Sequence, residues 1–107
     1  MKGRAVLAAA LALACAAGAH AQDAAAGRAK AAACAMCHGP VGIAAAPDTP
    51  NLAGQPASYI EEQLKAYRGG SRRHEVMSLM ARPLTDADIA NLAAWFSSIK
   101  VEATPPK

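Results

Sequence analysis

The chain has 107 residues, of which 53% are hydrophobic, 18% charged and only 4% aromatic, with a formal net charge of +3. That length allows one small domain and excludes a multidomain assembly within the chain. The charge excess is modest, and the basic residues near the start account for most of it, so there is no electrostatic case for a nucleic-acid partner.

The first segment reads as an export leader. Lys2 and Arg4 form a positive n-region, Val6 to Ala17 an apolar h-region, and Ala19-His20-Ala21 fits the small-x-small rule for cleavage. The expectation is therefore a signal peptide over residues 1–21 and a functional domain over residues 22–107. An uncleaved membrane anchor is the alternative, but the apolar run falls short of the ~20 residues needed to span a bilayer. A lipoprotein signal with Cys15 as the modified residue is the other, and there Ala12 stands where leucine is usual. Cleavage removes Lys2, Arg4 and Cys15. The remaining charge is near +1, and the two cysteines left both belong to a single Cys-x-x-Cys-His string, so no structural disulfide is expected within the monomer. A domain this short has a thin core and commonly needs a covalent or metal staple.

Asp23 is a good N-cap for a first helix that runs through an alanine-rich stretch to about Cys37. Gly27 inside it points either to close packing or to simple tolerance. The helix ends in Cys34-Ala35-Met36-Cys37-His38, a Cys-x-x-Cys-His string that is the attachment signature of a c-type haem. Two thiols bond the porphyrin vinyl groups, and the adjacent imidazole becomes an axial ligand of the iron. A thioredoxin-like dithiol needs a βαβ setting, and this chain has no alternating apolar runs. A zinc site needs four N or S donors, and outside the motif only His74 and the leader residues Cys15 and His20 could add any.

From Gly39 to Pro56 the chain carries Pro40, Pro47, Pro50 and Pro56, which exclude a regular helix. A loop of this length is expected to wrap a ligand or cofactor. A second helix opens at Ser58, where Ser58-x-x-Glu61 has the form of a capping box. It buries Ile60, Leu64 and Tyr67 and stops at Gly69-Gly70. The stretch after Arg73 reads as a loop holding two methionines, Met77 and Met80, which spacing alone does not separate as candidate iron ligands. His74 is a competing donor beside them. Thr85-x-x-Asp88 caps a third helix whose apolar face is Ile89, Leu92, Ala93, Phe96 and Ile99, widened by Trp95. Val101 to Lys107 reads as a frayed tail. The domain has just four aromatic residues, Tyr59, Tyr67, Trp95 and Phe96, which suits a core built around a prosthetic group.

In this order the residues resemble the class I bacterial cytochromes c, and in particular the short monohaem type related to the halves of periplasmic dihaem cytochromes c. The resemblance rests on Gly27, Cys34-x-x-Cys37-His38-Gly39, Pro50-x-Leu52-Ala53-Gly54-Gln55, Tyr59, Gln63-Leu64, Gly70-x-Arg72, Met77, and Leu84-Thr85-Asp86 leading to Ile89 and Ala94-Trp95-Phe96. It implies an all-α, small cytochrome c fold with three main helices and long loops wrapped around one covalently bound haem c. The family register selects Met77 as the second iron ligand opposite His38, and leaves Met80 as a core or haem-edge residue. The resemblance also implies that Pro50, in the Pro50-x-Leu52 segment at the cofactor, offers its carbonyl to the Nδ1–H of His38. Gly27 would meet Trp95-Phe96 where the first and last helices cross. Either Arg72 or Arg73 would neutralise a haem propionate.

The function expected from this is not enzymatic. It is one-electron transfer in the periplasm, by a monomer at most peripheral to the membrane, between respiratory redox partners. A haem c subunit of a larger dehydrogenase or oxidase complex is the alternative. No distal histidine–arginine pair suggests a peroxidase. With a charge near zero, partner docking is expected on an apolar patch at the haem edge, and no nucleic acid is expected among the partners.

Overall fold

The computed structural model describes residues 22–107; the expected leader and its cleavage site lie outside them. Regular structure among the described residues is helical throughout. The elements are α1 (Ala24–Lys30), a 3₁₀ turn (Ala31–Cys34), α2 (Ala35–His38), α3 (Ala57–Gly69), α4 (Met77–Ala81) and α5 (Asp86–Ser98). None of these helices is long and apolar enough to cross a membrane.

Asp23 caps α1 as expected: its Oδ1 accepts the N–H groups of Ala25 at 2.9 Å and Ala26 at 3.1 Å. The expected continuous first helix tightens midway into the 3₁₀ turn before α2 completes it at His38. This stretch crosses α5. A Cβ on Gly27 would stand 1.9 Å from the carbonyl oxygen of Asn91 and 2.9 Å from Cβ of Trp95. The glycine is therefore required by close backbone approach, as the resemblance implied, but its neighbours differ from the aromatic pair. A main-chain oxygen sets the limit, Trp95 contributes its Cβ, and Phe96 belongs to a different contact. The crossing is fastened by Asp23 N–H to Asn91 Oδ1 at 2.9 Å and by a Lys30–Asp88 ion pair at 3.4 Å. Arg28 lies over the Trp95 ring, 5.4 Å from its centroid.

The core is small. Ala31, Ile60, Leu92, Ala93 and Phe96 form its buried cluster, with Cys34, Leu52, Leu64, Leu84, Trp95 and Ile99 packed against it. The third helix of the sequence reading, α5, behaves as expected. Thr85 Oγ1 accepts the Asp88 N–H, Asp88 Oδ2 accepts the Thr85 N–H, and Ile89, Leu92, Ala93 and Phe96 are buried.

Two expectations are corrected. The capping box at Ser58 does not form: α3 begins at Ala57 behind Pro56, with no side-chain cap. Proline sets an extended entry, with ψ of 136°, and its carbonyl takes the Ile60 N–H at 3.1 Å. Ser58 thus falls inside the first turn, and Glu61 pairs with Lys65 and Gln22. The second correction is α4, a short helix where a loop was expected. The C-terminal stop of α3 does stand, with Gly70 left-handed at φ 86°. Beside it, Arg68 donates to the Leu84 carbonyl at 3.0 Å and to Asp86 at 2.6 Å, tying the end of α3 to the start of α5.

Candidate functional site

Cys34, Cys37 and His38 are placed by the end of the first helical stretch, where one helical turn separates the two thiols and leaves the imidazole beside the second. His38 is buried, at 7% exposure, and its Nδ1 lies 2.8 Å from the carbonyl oxygen of Pro50. A carbonyl can only accept, so Nδ1 carries the proton and Nε2 is the nitrogen left for a metal. Such a bond fixes the tautomer and orientation of a ligating histidine and raises its basicity.

The long loop exists to deliver that carbonyl. Gly42 is its pivot: its oxygen accepts the N–H groups of Leu52 at 2.7 Å and Ala53 at 3.0 Å. Its own φ is +78°, and a Cβ there would meet Ala53 N at 2.8 Å and Phe96 Cδ1 at 2.9 Å. Asn51 Oδ1 takes the Ala44 N–H at 2.7 Å, and the Phe96 carbonyl takes the Gly54 N–H at 2.9 Å. The segment Pro50–Leu52 is thereby pinned between the haem motif and α5.

These residues surround one cavity of about 840 Å³, mostly apolar, lined by Cys34, Cys37, His38, Pro50, Leu52 and Phe96 with Tyr59, Ile60, Leu64 and Tyr67. Met77 and Met80 line it too. Met77 is half-buried and Met80 is 41% exposed. Burial of Cys34 pushes its thiol above its ordinary value of 9.0. That is the reverse of the lowered pKa a reactive redox dithiol needs. No group of three or more His, Cys, Asp or Glu side chains among the described residues could hold a metal ion. Two thiols, an imidazole with one free nitrogen, and thioethers around an apolar chamber are instead the donor chemistry that haem c requires.

The family model for cytochrome c matches residues 24–100. The chain belongs to the cytochrome c family. It carries haem c covalently, on a Cys34-x-x-Cys37-His38 motif, and is an electron-transfer protein. Cytochrome c-554(548) of Halomonas halodenitrificans is 49% identical over 79 residues, 71% of this chain and 95% of that protein. The crystal structure of reduced recombinant cytochrome c4 from Pseudomonas stutzeri superposes with a TM-score of 0.70 at 42% identity, covering 75% of this chain and 47% of that one. A thiosulfate dehydrogenase electron acceptor from Thiomonas intermedia is 41% identical over 77 residues, 71% of this chain and 36% of that protein. The chain thus spans nearly all of the first relative and less than half of the other two. The fold is the small cytochrome c fold, related to that of the dihaem cytochromes c4.

The structure separates the two arginines that the sequence left equivalent. Arg72 lines the cytochrome's cavity, donating to Gln63 Oε1 at 2.6 Å and lying 4.6 Å above the Tyr67 ring centroid. Arg73 lines a different surface groove, with Arg68, Glu75 and Arg82. His74, expected as a competing iron donor, lines the same cavity as Arg72. Its Nδ1 instead takes the backbone N–H groups of Val76 and Met77, each at 3.2 Å. Sequence reasoning had no signal for this, because histidine is not among the usual capping residues. Nor did it single out Arg68, whose partners lie 16 and 18 residues away.

Proposed function

We propose that this protein is exported to the periplasm and works there as a monomeric one-electron carrier between respiratory redox partners, with its iron held between His38 and Met77. The observation that carries the reading is the shared cavity. It brings the two thiols, the His38 imidazole set by Pro50, and Met77 to one apolar chamber. Bound haem supplies the one-electron iron couple, and a His/Met ligand pair raises its potential relative to two histidines.

The chain's own residues would do the rest. Cys34 and Cys37 anchor the group, and Pro50 keeps His38 as the Nδ1–H tautomer. Leu52, Ile60, Leu64 and Phe96 exclude water. Arg72 would neutralise a propionate, since it lines the cavity and Arg73 does not. With His38 and Met77 both holding the iron, no position would be left for a substrate. The test is an optical spectrum with a redox titration. A Met–Fe(III) near-infrared band and no carbon monoxide uptake by the reduced protein are expected. Rapid carbon monoxide binding would sink the carrier reading in favour of a ligand-binding haem.

A second reading, a haem subunit of a dehydrogenase, is favoured by the likeness to a thiosulfate dehydrogenase electron acceptor. Gel filtration of native periplasm separates the two, because a free carrier elutes as a small monomer and a subunit elutes with its complex.

A further inference from the structure

The segment that carries Met77 has an unusual anchor. Helix α4 has only five residues, Met77–Ala81, and Val76 before it provides no side-chain cap. An isolated helix this short has no stability of its own, since nucleation costs more than one turn of bonds returns. Its geometry must be imposed from outside. Pro83 ends it on one side, and buried Ala81 seats it in the fold. On the other side stands His74. His74 Nδ1 accepts from Val76 N–H and Met77 N–H at 3.2 Å each, the His74 N–H donates to Ser78 Oγ at 3.0 Å, and the His74 carbonyl accepts the Ser78 N–H at 3.0 Å. Four hydrogen bonds from one residue thus enclose Met77 between its second and fourth neighbours.

The pattern is that of an Asx cap. An Asn or Asp N-cap accepts from the N–H groups two and three residues on. Histidine Nδ1 occupies the same place along its side chain as Asn Oδ1 and reaches the same two donors.

We propose that His74 is the positioning residue for the distal ligand: it caps the turn that begins at Met77 and so fixes the direction in which the thioether is presented to the cavity. The proposal rests on Met77 being that ligand. It assigns His74 a role as hydrogen-bond acceptor and not as iron donor, and it accounts for the choice between the methionines. Met77 is the one whose own backbone N–H is held by a side chain, whereas the Met80 N–H is an ordinary helical donor to Val76 at 3.0 Å.

The test uses the holoprotein in four forms: wild type, His74→Ala, His74→Asn and Met77→Ala. In the wild type, ¹⁵N shifts of the His74 ring at neutral pH should show Nδ1 unprotonated and Nε2 protonated. His74→Ala should speed hydrogen exchange at the Val76 and Met77 amides about tenfold, as expected for one lost hydrogen bond. It should also weaken the Met–Fe(III) near-infrared band and lower the reduction potential. His74→Asn keeps an acceptor at the same place and should restore band, potential and exchange. A proton on Nδ1 in the wild type overturns the proposal without any variant. So does a His74→Ala protein with band, potential and exchange unchanged, or a His74→Asn protein no better than His74→Ala. A band that survives Met77→Ala overturns the ligand reading underneath, and the two failures are thereby told apart.

Discussion

Gly27 lies directly against the backbone of Asn91: a Cβ at Gly27 would stand 1.9 Å from the Asn91 carbonyl oxygen. A flexible side chain could move away from such an approach, but a carbonyl inside α5 is held by its own helix. Even Gly27→Ala should therefore destabilise the fold, and Gly27→Val more so, by at least the about 1–3 kcal/mol usual for overpacking. Denaturant midpoints of the holoprotein check this. A Gly27→Ala protein as stable as wild type would mean that α1 and α5 do not cross this closely.

Attachment has a mass signature. Material exported by cells competent for cytochrome maturation should weigh as Gln22–Lys107 plus one haem. Replacing both Cys34 and Cys37 by serine should remove the haem mass under denaturing conditions, because only thioether bonds survive them. A leader-bearing mass would overturn cleavage after Ala21 and leave the attachment result untouched.

The two methionines should behave differently. Met77→Ala should abolish the near-infrared band, lower the potential and open the iron to carbon monoxide or cyanide. Met80→Ala should keep the band and leave the potential near that of the wild type. The opposite pattern would make Met80 the ligand.

The capping box of α5 predicts an acid response. Asp88 is held below its ordinary value of 3.8, chiefly by the Thr85 N–H; burial opposes this as the next largest effect, and the Thr85 hydroxyl and Lys30 add smaller lowering effects. A carboxyl depressed in the folded state stabilises above its unfolded pKa, and that contribution is lost as pH falls through the folded value. Stability should thus drop below about pH 4 in wild type. Asp88→Asn should start lower and fall less steeply there. Thr85→Ala should cost about 1 kcal/mol at neutral pH. Parallel pH profiles for wild type and Asp88→Asn would show that the box carries no such linkage.

Electron exchange with a partner should depend weakly on salt. Only a large charge asymmetry gives strong steering, and residues 22–107 carry a charge near +1. Stopped-flow rates against ionic strength measure this; a steep fall would replace apolar docking with docking on the arginine groove of Arg68, Arg73 and Arg82.

Much of this cytochrome was legible in the chain alone because its chemistry is local. Cys34, Cys37 and His38 fall within one helical turn, so their joint role needs no tertiary information. The same holds for the Asp23 cap, the Thr85–Asp88 box and the Gly70 stop, each a contact among residues at most three or four apart. Family resemblance carried the reading further, to Pro50 and to a tight packing role for Gly27. What only the folded chain decided is what depends on separation in space. The Asn91 carbonyl as the neighbour of Gly27, the cavity side of Arg72 as against Arg73, and the Arg68 tie to Asp86 all join residues whose spacing has no period to read. Helix α4 is the instructive miss. It has five residues, and the side chain that meets its first N–H groups is a histidine, so neither helical periodicity nor capping propensity could find it.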